Sequence, residues 1–255
     1  MLWKNNMLSQ KNICIVALIM IFNIIINNHH LYVYLIEFLI IMTIFDKKAK
    51  RKDIVNDGRT IMNMKYLDMF IKKALLKNDL EIIAIWKKRS TFTKDVTESM
   101  SIYVAILKLM ENEIISYNNF LNKCNVYIIG DGCQPYVGIL IKKFLGLKNI
   151  NCIDPNLSVN KSFHGINCYK EKIEDLIISE KDRNQNSLLI SVHGHGNISD
   201  FYKLFTGNKI FISLPCCSDF GFVKNEMAKM EYTDTNILSP KNKIFIYYNL
   251  NFNIH

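Results

Sequence analysis

Residues 125–155 read NVYIIGDGCQPYVGILIKKFLGLKNINCIDP, and the fold turns on how that stretch divides. Asn125 to Ile129 is dominated by β-branched and aromatic residues, the composition of a short buried strand. It stops at Gly130-Asp131-Gly132, where positive φ is accessible and backbone can approach another group closely. Pro135 suits the first turn of a helix, since its φ is already helical and its missing N–H is not needed there. Tyr136, Val137, Leu140, Ile141, Phe144 and Leu145 then recur at helical spacing with Lys142 and Lys143 opposite, which predicts a helix with one buried face. Gly146 stands where that helix should end. A second apolar run, Ile150 to Ile153, delivers Asp154 to a strand tip. Strand, glycine turn, helix, strand and acid in this order describe one unit of a nucleotide-binding α/β sheet, in which the acid accepts hydrogen bonds from ribose hydroxyls.

The remaining pattern extends that sheet. Ile166 to Tyr169, SLLISV at Ser187 to Val192, KIFISL at Lys209 to Leu214 and a final KIFIYYNL from Lys243 are short apolar runs separated by helical or turn-rich segments. The expected fold class is therefore α/β, a doubly wound, mostly parallel Rossmann-like sheet of about six strands. Ser187 to Val192 ends in His193-Gly194-His195-Gly196, ahead of a helix from Ser199 to about Phe205. Lys209 to Leu214 ends in Pro215-Cys216-Cys217. Ligands in such sheets lie beyond the carboxyl ends of the strands, so His193, His195, Cys216 and Cys217 are candidate catalytic residues. In extended chain the two histidines, two residues apart, would point the same way. A catalytic constellation, a metal site and a polar cluster that only shapes the pocket all fit this set, and the expectation is that no metal is bound, because adjacent cysteines seldom suit one ion.

Three domains are expected. Residues 1–53 are an apolar extension: its run at 13–45 is interrupted by Asn27-Asn28-His29-His30 and followed by the polybasic Asp46 to Asp53. A tilted membrane anchor, a re-entrant hairpin and a pair of buried elements are all compatible with it. Residues 54–120 form a helical part, with one helical pattern from Ile54 to Lys88. Asp95 and Glu98 are spaced as the cap and third residue of a capping box. Residues 121–255 form the sheet domain. Between the first two helical patterns, Trp86 to Lys94 interleaves aromatics with cations, which suits either base stacking with phosphate neutralisation or a helix end anchored by Trp86 and Phe92.

The formal charge of +9 is compatible with nucleic acid or an anionic membrane. Seven cysteines lacking framework spacing suggest thiols in a reducing, cytoplasmic setting, or a cytoplasmic domain held by a membrane anchor.

The 125–155 unit resembles motifs I and II of the class I S-adenosylmethionine-dependent methyltransferases. That resemblance implies S-adenosylmethionine as cofactor, Gly130, Asp131, Gly132 and Pro135 around its methionine end, and Asp154 on its ribose. Pro135 replaces the usual third glycine, and Ile128 stands where an acid is common, with Asp131 inside the turn instead. By the same resemblance Glu174 or Asp175 would meet the adenine amino group, and Thr97, Glu98 and Tyr103 would border the site. The residue types alone give Glu174 and Asp175 a plainer role as favourable charge at a helix N-terminus. The His193-Gly194-His195-Gly196 and Cys216-Cys217 tips loosely resemble those of tRNA 2'-O-methyltransferases that modify the acceptor stem, with His195 in place of a cysteine and Ser218 in place of a histidine. The whole set is similar to a eukaryotic group of methyltransferase-like proteins over roughly residues 86–250 and implies RNA as acceptor. A catalytically inactive binding or scaffold protein of the same fold and an NAD-dependent oxidoreductase are the rival readings.

Overall fold

The chain as described by a computed structural model comprises residues 64–87, 91–217 and 221–251. The expected extension at 1–53 and the start of the helical pattern lie outside these residues. Among them, no helix is long and apolar enough to cross a membrane.

The long helical pattern is broken into two helices, α1 (Lys65–Leu76) and α2 (Leu80–Lys87). Asn78 takes a left-handed φ of 50° between them. Its N–H bonds to the Leu75 carbonyl and that of Asp79 to Ala74, a Schellman closure in which asparagine stands where glycine is usual. Helix α3 (Phe92–Glu111) begins three residues before the expected cap. Asp95 therefore lies in its first turn, where its carboxylate accepts from the Thr91 hydroxyl, and Glu98 is released to point elsewhere. Trp86 is fully buried and packs on Phe70 and Tyr136, with ring centroids 5.3 and 5.2 Å away. The stacking role considered for it is thus replaced by a core role.

After a 3₁₀ turn at Leu121–Lys123 the sheet begins with β1 (Asn125–Ile129), followed by α4 (Tyr136–Leu145), β2 (Ile150–Ile153), β3 (Lys161–Phe163) and β4 (Ile166–Tyr169). Then come α5 (Glu180–Arg183), β5 (Ser187–Val192), α6 (Ile198–Leu204), β6 (Lys209–Leu214), β7 (Met230–Thr233) and β8 (Lys243–Asn249). The strand order is β3-β4-β2-β1-β5-β6-β8-β7. The five strands from β4 to β6 are mutually parallel, whereas β8 runs antiparallel to β6 and β7 antiparallel to β8. The Rossmann-like α/β expectation holds, with eight strands rather than six. The two additions, β3 and β7, are edge strands with largely uncovered side chains, so no apolar run marks them. β3 is created by His164-Gly165, both at positive φ between paired Phe163 and Ile166, the geometry of a two-residue hairpin turn.

Period-two alternation assigns the sheet's faces. Tyr127, Ile129, Ile153, Leu189 and Phe211 meet α6 through Ile198, Phe201, Tyr202 and Phe205. Ile128 and Cys152 face Gly138 of α4. Both faces are covered, which is why β1, β2, β5 and β6 are buried along their whole length. Lys209 is nearly buried and donates to the Tyr202 and Phe205 carbonyls, closing the C-terminal end of α6 with a cation. On the other layer, the Tyr66 hydroxyl of α1 donates to Asp234, just past β7. Every described residue belongs to one compact unit, Met62–His255.

Candidate active site

From β1 the chain proceeds to β2 and β4 on one side, then crosses to β5 and β6 on the other. The strand order thus reverses between β1 and β5, and a parallel sheet opens a crevice beyond the carboxyl ends at such a switch. A cleft of about 690 Å³ lies there, lined by Gly130, Asp154, Pro155, Glu174, Asp175 and the His193 to Gly196 loop, among others. That volume falls inside the range of roughly 300–1,000 Å³ usual for small-molecule sites.

Asp154 forms one wall. Its Oδ2 accepts from the Gly132 N–H at 2.9 Å and its Oδ1 from the Asn156 N–H at 2.7 Å. Each carboxylate oxygen has a second lone-pair direction, so acceptor capacity remains beyond those two bonds. Asp131 does not share this wall. Its carboxylate is turned under the turn, where it accepts from the Val137 and Gly138 N–H groups at 2.9 and 3.2 Å. It is the carboxyl cap of α4, whereas Pro135 occupies the capping position without a side-chain bond. Burial pushes the Asp131 carboxyl up to about 7, against the opposing pull of those two N–H groups.

The glycines divide similarly. A Cβ on Gly130 would lie 2.6 Å from the Gly194 Cα and 2.7 Å from the Val192 carbonyl oxygen, whereas nothing lies within 4 Å of one on Gly132. Gly130 is needed for backbone to meet backbone between the β1 and β5 tips. Both glycines hold positive φ, 81° and 77°.

His193 and His195 do not point the same way, because His193 takes a left-handed φ of 56° and breaks the extended geometry. The His193 ring turns towards α3, with Nε2 2.9 Å from the Glu98 Oε1. Glu98 is only 4 % exposed and also lies 3.5 Å from the Lys94 ammonium. Nδ1 of His193 is buried without a hydrogen-bond partner. His195 is exposed, with Nε2 2.7 Å from the Cys216 Sγ, and Cys217 Sγ is 4.0 Å from Cys216 Sγ. Burial, then the neighbouring Cys217, raises the Cys216 thiol above its ordinary range. All six described cysteines are free thiols.

Glu174 and Asp175 lie in the turn after β4, where no helix starts. Glu174 instead accepts from the Asn197 N–H at 2.6 Å, serving the N-terminus of α6 across the cleft mouth. Of the residues singled out as bordering the site, only Glu98 touches a site side chain. Thr97 accepts from the Leu238 N–H, and Tyr103 is buried against Phe144. Ile173, on the cleft wall and packed under Gly196, escaped the sequence reading because a lone isoleucine in a polar turn carries no local signal. Glu98 did leave one: an acid at the head of the otherwise uncharged stretch Ser99 to Leu107.

No family model matches the sequence, and no curated protein matches it. Among solved structures, the chain is similar to MtNAS in complex with MTA and tNA, at 15 % identity and a TM-score of 0.35, over 77 % of this chain and 79 % of that one. It is also similar to the 16S rRNA methylase ArmA, at 14 % identity and a TM-score of 0.34, over 73 % of this chain and 98 % of that one. The plantazolicin methyltransferase BpumL, solved with SAH and a monoazolic desmethylPZN analog, matches at 14 % identity and a TM-score of 0.30. That match spans 61 % of this chain and 63 % of BpumL.

Proposed function

We propose that the chain is an S-adenosylmethionine-dependent methyltransferase acting on RNA. The observation that carries the reading is Asp154: a carboxylate at the tip of β2, on the wall of a cleft at the switch point, with acceptor capacity beyond its two backbone bonds. A ribose diol donates two hydrogen bonds, and a carboxylate is the group that accepts both. Pro155 and Ile173, also on the cleft wall, supply apolar surface for an adenine ring, so the residues present fit an adenosine-bearing cofactor.

When bound, S-adenosylmethionine supplies a methyl group on a sulfonium, which leaves as a thioether when the acceptor's lone pair takes the methyl. The chain's task is chiefly to hold donor and acceptor in line and exclude water. In this reading Asp154 orients the ribose, and His195, exposed at the cleft mouth, orients the acceptor beside Cys216 and Cys217. His193 is a positioning residue, its ring held by Glu98. The acceptor class rests on the +9 charge, since a polyanion is drawn to such a surface.

A second reading, a nucleoside-binding scaffold without catalysis, draws on one observation. The Gly130 position is closed by Gly194 backbone, and of the His193 nitrogens Nδ1 is buried while Nε2 is engaged by Glu98. The oxidoreductase reading loses ground because β8 and β7 close the second half of the sheet with antiparallel pairs, in place of a second parallel mononucleotide-binding half.

Calorimetric titration of the full chain with S-adenosylmethionine, with NAD as comparison ligand, tests the cofactor. Selective binding near 1 μM, about 8 kcal/mol, that is lost in Asp154→Ala and weakened in Asp154→Asn is expected, with circular dichroism checking that both variants fold. Unchanged binding in Asp154→Ala overturns the reading. Transfer of labelled methyl groups to RNA then separates the enzyme from the scaffold.

A further inference from the structure

The carboxyl tips of β5 and β6 are adjacent, with Val192 paired to Leu214 in register, and each tip brings metal-ligating side chains to the same edge of the sheet. The ligand atoms of His195, Cys216 and Cys217 all lie within 4.8 Å of one another. We propose that these three residues form a zinc-binding site at the mouth of the cleft, with two thiolates and one imidazole as ligands and a fourth position open to water or substrate.

Geometry answers the usual objection to adjacent cysteines. Two thiolates at about 2.3 Å from a tetrahedral zinc are separated by roughly 3.8 Å along the tetrahedron's edge. The two sulfurs stand 4.0 Å apart, because Cys216 and Cys217 lie in a turn rather than in extended chain, where successive side chains diverge to opposite faces. The imidazole is the closer partner. Its Nε2 is 2.7 Å from the Cys216 Sγ, against roughly 3.6 Å for nitrogen and sulfur sharing one zinc. The ring therefore withdraws by about 1 Å to admit the ion. His195 is exposed between Gly194 and Gly196.

The donor types select the ion. Two thiolates and an imidazole suit zinc, whereas oxygen-seeking magnesium or calcium finds no carboxylate in the cluster among the described residues. Three protein ligands among the described residues, with one position left to water or substrate, is the arrangement of catalytic rather than purely structural zinc. At the cleft mouth such an ion would polarise an acceptor oxygen or nitrogen. The inference goes beyond the methyl-transfer reading and does not depend on it, since its readout is the metal alone.

The experiment is metal analysis of the full chain purified under reducing conditions, followed by Co²⁺ titration of the metal-free protein. About one Zn²⁺ per chain is expected, and a Co²⁺ adduct with tetrahedral d–d bands and sulfur-to-cobalt charge transfer. Cys216→Ser and Cys217→Ser should each remove roughly half of the charge-transfer intensity. His195→Ala should keep it but bind the ion more weakly, while Cys124→Ser, at a buried thiol elsewhere, should change nothing. Circular dichroism identifies any variant that fails to fold, and His195→Ala, at an exposed position, remains decisive if a cysteine variant does so. Failure of the folded wild-type chain to bind Co²⁺ overturns the proposal. So does an unchanged spectrum in the Cys216→Ser/Cys217→Ser double variant, or a Cys216–Cys217 disulfide that persists in reductant.

Discussion

Replacing Gly130 by alanine tests how the cleft is built. A methyl group there meets three backbone atoms of the β5 tip at 2.6–2.7 Å, and backbone cannot rotate aside as a side chain can. Gly130→Ala therefore incurs two costs: about 1–2 kcal/mol for an L-residue held at left-handed φ, and about 1–3 kcal/mol for overpacking. Gly132→Ala, at nearly the same φ but with no neighbour within 4 Å, incurs only the first. Urea denaturation followed by far-ultraviolet circular dichroism should show Gly130→Ala destabilised by about 2–5 kcal/mol. That is a large part of a domain's usual stability of about 5–15 kcal/mol. Gly132→Ala should lose about 1–2 kcal/mol. Equal losses for the two variants would refute the claim that Gly130 exists for the β1–β5 contact.

Two further outcomes follow from the buried face of α4. Asp131 carries a proton more readily when folded, at about 7 against 3.8 in the open chain, so its contribution to stability is full below about pH 4 and lost as pH rises through 7. It should make the wild type on the order of 3 kcal/mol less stable at pH 8 than at pH 5, a slope that Asp131→Asn removes; a variant that keeps the slope points to another group. Gly138→Ala gains about 1 kcal/mol of helix propensity but sets a Cβ 2.7 Å from the Cys152 Sγ and 3.3 Å from an Ile166 methyl. It should be destabilising alone and neutral or stabilising in a Cys152→Ala background, with a coupling of about 1 kcal/mol or more in the double-mutant cycle; simple additivity would disprove the contact.

The sequence by itself determined the parallel core. The apolar runs at 125–129, 150–153, 187–192 and 209–214 are strands over those residues, because a strand covered on both faces reads as a near-continuous apolar run rather than an alternating one. It also determined the helix ending at Gly146, which holds a φ of 71°, since a left-handed C-terminal residue is a local requirement. The arrival of Asp154 at a strand tip follows from the same counting. Tertiary structure alone decided what the polar residues do. Asp131 became a helix cap because the turn folds its carboxylate back onto N–H groups six and seven residues ahead. Glu98 became the partner of His193 across 95 residues, through the packing of a helix whose start lay four residues earlier than its capping pattern suggested. Cys216 met His195 because two strands separated by a helix pair in register. Propensity and periodicity act within a few residues, whereas hydrogen-bond partners at a strand tip are set by strand order and register, which emerge only when the whole sheet has assembled.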